Sequence, residues 1–180
     1  MESNISQWGT REEWLAKATD AGVPAAQAAT AESIIWDQIS TGAPTSRPPP
    51  VPAQEQNPRA LLRAALRAGD PDAMTAMSVF GGMFVPNNSD EQTDRDRWAW
   101  RVLACHHGLD CSESATWYAM MCMTGGCQSH ETVLDYLHRI SAASNLGDID
   151  KRAQELEATI DAEDWDDLGL GSPDPSSQIQ

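Results

Sequence analysis

Apolar residues in this chain recur three and four positions apart, and glycine, proline, asparagine or aspartate breaks the pattern at intervals of a few turns. Leu61, Leu62, Ala65 and Leu66 line one face of RALLRAALRAG. Trp98, Val102, Leu103 and Cys105 do the same in the next block, and Val133, Leu137 and Ile140 in HETVLDYLHRIS. This is the period of a helix half-buried against a neighbour, not the alternation of a strand. Abundant alanine with few valines leans the same way. The pattern predicts an all-α protein: antiparallel helical hairpins stacked as a small bundle or short solenoid.

The helix starts are written in capping chemistry. Thr10 and Glu13 have capping-box spacing, with Trp14, Leu15 and Ala18 on a shared face, and Gly22 stops that helix before Pro24 opens the next. Asn57-Pro58 and Asp70-Pro71 each pair an N-cap with a proline in the first turn. Ser89 with Gln92 predicts another start, as do Asp110 or Ser112, then Ser129, then Asp148.

Five prolines between Pro44 and Pro52 interrupt this series. Such a run has no amide protons to donate to a helix and favours polyproline II, so it reads as a spacer. The organisation predicted is a helical arm over 1–40, a proline-rich linker over 41–57, a helical body over 58–170 and a disordered tail over 171–180. Trp165, Leu168 and Leu170 are expected to tuck the end of the body against the rest.

All four cysteines lie at 105, 111, 122 and 127, an even set that suits two disulfides in an oxidising compartment. A helix opening near Cys111 would place Cys122 about 16 Å and Cys127 about 20 Å along its axis, beyond bridging reach. The local pairs Cys105–Cys111 and Cys122–Cys127 are left, each contributing about 2 kcal/mol. Two other readings use the same residues. Cys105, His106, His107, Cys111, Cys122, Cys127 and His130 offer tetrahedral zinc donors, but C-x-x-C spacing is missing. Buried free thiols are the third reading.

Charge narrows the function classes. The net charge is −15, with 12 basic residues scattered along the chain, which speaks against a nucleic-acid phosphate backbone and against anionic membrane surfaces. It speaks for a protein partner with a basic surface. No apolar run reaches the ~20 residues of a membrane span, and no signal peptide is written at the N-terminus. The cysteines nevertheless favour a periplasmic or secreted protein whose signal has been removed, with the cytoplasm left open. Candidate interaction residues are Trp8, Trp14 and Trp36 in the arm, with Asp161, Glu163, Asp164, Trp165 and Asp166 near the end.

Catalysis is the competing class. His106 or His107 with Asp110 or Glu113, near Ser112 or Ser114, has the residue types of a small hydrolase. No fingerprint motif supports it, and two histidines at a helix end equally serve the helix dipole. No cofactor is implied. Met74, Met77 and Met83, and Met120, Met121 and Met123, read as pliable core.

The run RAALRAGDPDAMTAMSVFGGMF, residues 63–84, resembles one unit of the Sel1-like repeats, relatives of the tetratricopeptide repeats. Ala64, Ala65, Gly69, Asp70, Ala73, Gly82 and Phe84 carry the likeness. It implies stacked antiparallel helices that act as scaffolds for partner proteins. The stretch from Trp98 to Cys127 also resembles bacterial cell-envelope proteins. That likeness brings no activity with it. The combined expectation is a non-enzymatic protein-binding helical protein, of adaptor, inhibitor or immunity type.

Overall fold

A computed structural model describes residues 9–41, 57–85, 89–123, 126–128, 130–144 and 146–171. These residues form eight α-helices and, among them, no strand. The chain's contacts divide it into two compact units, 1–73 and 74–180.

The first unit holds α1 (Arg11–Asp20), α2 (Pro24–Thr41) and α3 (Pro58–Arg67). Thr10 closes the expected box on α1: its hydroxyl accepts from the Glu13 amide at 3.2 Å, and the Glu13 carboxylate accepts from the Thr10 amide at 3.0 Å. Asn57 caps α3 by accepting from the Arg59 amide. Alanines let the helices approach closely. Ala28, Ala31 and Ile35 form a buried stripe on α2, and α2 packs against both α1 and α3. Buried Thr19 sits at the α1–α2 joint, its hydroxyl 2.9 Å from the Leu15 carbonyl, 3.1 Å from that of Ala26 and 2.8 Å from the Thr30 hydroxyl.

The structure divides the chain elsewhere than the proline run suggests. Residues 42–56 lie outside the described residues, but α3, read from the sequence as the start of the body, packs on α2 of the arm. The reason is that α2 carries a buried stripe that must be covered, and the Leu61, Leu62, Ala65 and Leu66 face of α3 is equally apolar. Proline content reports where the backbone is not helical, not which helices pack together.

The second unit is built on α4 (Pro71–Phe84), α5 (Asp90–His106), α6 (Thr116–Cys122), α7 (Val133–Ala143) and α8 (Ile149–Asp161), the division falling within α4 after Ala73. Helix α5 starts where Ser89 accepts from the Gln92 amide, and it packs on both α7 and α8. It buries Ala99, Trp100, Val102, Leu103 and Ala104. Helix α8 answers with Ile149, Ala153, Leu156 and Ile160. Helix α4 meets α5 closely at Gly82, where a Cβ would come within 2.7 Å of the Thr93 methyl.

Two predicted starts move. Helix α6 begins at Thr116, not at Asp110 or Ser112, because Asp110 engages the Ser112 amide in a local turn. Helix α7 begins after Thr132, whose hydroxyl accepts from the Asp135 amide in a reciprocal capping box. Ser129, the cap expected from the sequence, lies outside the described residues. The buried stripe of α7 is Val133, Leu137 and Ser141, with Ile140 only half-buried.

The last described turn ends as expected from its leucines. Leu168 and Leu170 are buried, and the Leu170 amide donates to the Trp165 carbonyl at 2.7 Å. Gly169 adopts φ +68, and a side chain there would be driven into the Phe84 carbonyl. Of the tail expected over 171–180, Gly171 is described and 172–180 lie outside the described residues.

This packing has two measurable consequences. Deleting residues 1–56 removes the helix on which α3 packs, so hydrogen exchange should show lost protection over 58–67 while α5 and α8 stay protected. Retained protection in α3 would show that the body does begin at Asn57. Substituting Gly169→Ala combines a left-handed backbone with a steric clash. It is expected to destabilise the second unit by more than about 1 kcal/mol, read as a lower urea midpoint with an unchanged slope.

Candidate functional site

The segment between α5 and α7 is tied by covalent bonds. Cys105 on the last turn of α5 is bonded to Cys111, with Cα atoms 5.7 Å apart, and Cys122 at the end of α6 is bonded to Cys127 at 5.1 Å. These are the local pairs expected, although Cys111 lies in a turn before α6 and not on the helix itself. None of the four is free, so their sulfurs are not thiolates available to zinc. The bonds are those of an oxidising environment. Among the described residues, no helix is long and apolar enough to cross a membrane.

His106 and His107 do occupy the C-terminal end of α5, as residue and cap, with Gly108 at φ +100 turning the chain away. His107 Nε2 lies 3.1 Å from a Glu157 oxygen on α8, while Glu113 stands 3.6 Å from His130 Nδ1. Asp110 is engaged with Ser112, and the Ser112 and Ser114 hydroxyls are 2.9 Å from each other. His107 therefore joins two helices.

Beyond α6 lies a cluster that the sequence did not signal. Glu131 is buried, and its carboxylate accepts from Arg139 Nε at 2.6 Å and from a second guanidinium nitrogen at 2.8 Å. It also accepts from the Tyr118 hydroxyl at 3.2 Å and the Gln128 amide at 3.0 Å. Arg139 reaches on to the Gly126 carbonyl at 2.7 Å and lies over the Tyr136 ring. The α7 N-terminus is pinned nearby, the Val133 amide donating to the Cys111 carbonyl at 3.2 Å. The bonds from Arg139, with smaller help from the Gln128 amide and Tyr118, hold the Glu131 carboxyl down at about 2. Such a group is an anion at every ordinary pH and is no proton donor. Its work is to hold the Cys127 loop between α6 and α7. An open concavity of about 480 Å³ beside it is lined by Glu113, Tyr118, His130 and the Cys122–Cys127 bridge.

A second concavity, about 450 Å³, lies between α4, α5 and α8. Met77, Val79 and Met83 of α4, Trp100 of α5, Leu156 of α8 and Leu168 line its apolar part. Val79 and Met83 are large apolar residues left 45% and 57% exposed. The polar lining is organised in pairs: Arg152 grips Asp96 at 2.7 and 3.1 Å, and Arg97 bonds Asp94 at 2.9 Å. Residue type led to the expectation that all three methionines of α4 are core. Met74 and Met77 are indeed buried, but Met83 lies at the open end of α4.

The turn from Asp161 to Asp167 joins this concavity, supplying Asp167 to its wall, with Leu168 directly after it. Asp161, Glu163, Asp164 and Asp166 are exposed, and Trp165 is half-buried. Glu163 takes φ +53 and Asp164 accepts from the Asp167 amide at 3.3 Å, so the turn is shaped by its own acids while the leucines hold it down. In the first unit, Trp14 and Trp36 are about half exposed, at 52% and 49%, with Lys17 Nζ 5.2 Å above the Trp14 ring. Trp8 lies outside the described residues.

Glu131 makes a pH signature. Its folded value, about 2, is below the ordinary 4.5, so the stability it adds is fully present above pH 4.5 and is lost as pH falls towards 2. Glu131→Gln should lower the melting temperature at neutral pH and flatten the acid side of the stability profile across that window. An unchanged acid limb would show that other carboxylates set it.

The chain's own residues carry the functional reading alone: no family model, curated protein or solved structure matches it.

Proposed function

We propose that this is a non-enzymatic protein-binding helical protein of the bacterial envelope or exterior, an adaptor, inhibitor or immunity-type protein whose partner presents a basic surface. The observation that carries the reading is the ordered turn at 161–167. It holds five acids with no lysine or arginine, displays them to solvent, and places Trp165 among them. A net charge of −15 adds a long-range field of the same sign. Two disulfides support an exported setting. The division of labour comes from physics: charge accelerates encounter over a Debye length of about 8 Å, and apolar anchors set the lifetime of the complex.

The test begins by capturing partners from bacterial envelope extracts on the immobilised chain. On-rates of each captured protein are then measured against salt. Asp161→Asn, Glu163→Gln, Asp164→Asn and Asp166→Asn together should slow association about tenfold and flatten its salt dependence, while dissociation barely changes. Thermal stability is the control and should hardly move, because exposed charges contribute little to it. Partners whose on-rates ignore both salt and the substitutions would overturn the reading.

A further inference from the structure

Building on the protein-binding reading, we infer that the concavity between α4, α5 and α8 receives the apolar face of a basic amphipathic helix of the partner. The lysines or arginines of that helix lie over the 161–167 turn.

Shape comes first. At about 450 Å³ the space accommodates one or two anchoring side chains of a docked helix. Val79 and Met83 stand four residues apart on α4 and so share a face, and both are exposed although large and apolar. Methionine is flexible and polarizable, which suits a wall that must adapt to an incoming side chain.

Charge then selects the occupant. The arginines of the wall are already committed, Arg152 to Asp96 and Arg97 to Asp94, so the lining has little positive charge to offer an anion. Asp167 belongs to the wall and continues into Asp166, Asp164 and Asp161 on the same turn. A concavity with an apolar patch, paired charges on its walls and an acidic rim fits an amphipathic ligand that carries positive charge. A second copy of this chain would bring −15 against −15 and is disfavoured. An anionic amphiphile meets the same repulsion.

Two labelled peptides of identical composition test this: one with leucines on one helical face and lysines on the other, and one with that order scrambled. The patterned peptide should bind the full chain more tightly, and its contact should protect α4 and the 161–168 turn in hydrogen exchange. The pair Val79→Thr with Met83→Gln should raise its Kd about tenfold, mainly through faster dissociation, and leave the scrambled peptide's binding unchanged. Met83→Leu, which keeps an apolar side chain of similar size, should retain the affinity. Equal binding of both peptides, or indifference of the patterned one to the paired substitution, would overturn the groove while leaving the acidic turn as a binding element. If neither peptide binds even at low salt, the basic-partner reading falls as well.

Discussion

Burial of one face of α5 is the constraint on which the second unit depends. Trp100, Val102 and Leu103 are inside, and each such side chain contributes roughly 1.5–3 kcal/mol relative to exposure. Polar ties are smaller in net effect but directional. Arg101 donates to Ser78 on α4 at 2.9 Å, Asp96 holds Arg152 on α8, and His107 meets Glu157 on α8. Packing supplies the free energy and these pairs select the register in which α4 and α8 sit on α5.

The same helix organises the segment from Cys111 to α7. Its last turn ends in a disulfide to Cys111, the Cys111 carbonyl accepts from the first amide of α7, and α7 carries the arginine that neutralises Glu131. Breaking the Glu131–Arg139 contact would leave a buried carboxylate without its counter-charge, which costs far more than the pair contributes by existing. The region between α5 and α7 is thus held by two covalent bonds and one ion pair whose carboxylate is buried. Among its described side chains, Tyr118 and Val133 are large buried ones.

The surface proposed for binding occupies the opposite condition. The α4 face with Val79 and Met83 and the acidic turn after α8 are anchored underneath, by Phe80 and Met77 on one side and Leu168 and Leu170 on the other. Their outward residues are left uncovered. Exposed apolar and acidic residues over a buried base suit the binding proposed above, because a docked partner need not order that backbone.

Helix period, capping residues and glycine stops are local properties, and the sequence alone determined them well: the all-α class, the Thr10, Asn57, Ser89 and Asp148 caps, and the tucking of Leu168 and Leu170. The disulfide pairing was legible too, since short loops leave little choice, even though the helix assumed to start near Cys111 begins at Thr116. Tertiary structure alone decided the rest. Asp96 and Arg152 are separated by 56 residues, and Glu131 lies off the helix that carries Arg139, so no spacing rule joins either pair. Met83 was assigned to the core with Met74 and Met77, but it stands nine and six residues from them, on another face of α4, and it is exposed. The packing of α3 on α2 went against a proline run that marked the chain as divided. Local sequence sets what each segment prefers to be, but which faces meet depends on competition among all apolar surfaces at once, and that competition is settled only in the folded chain.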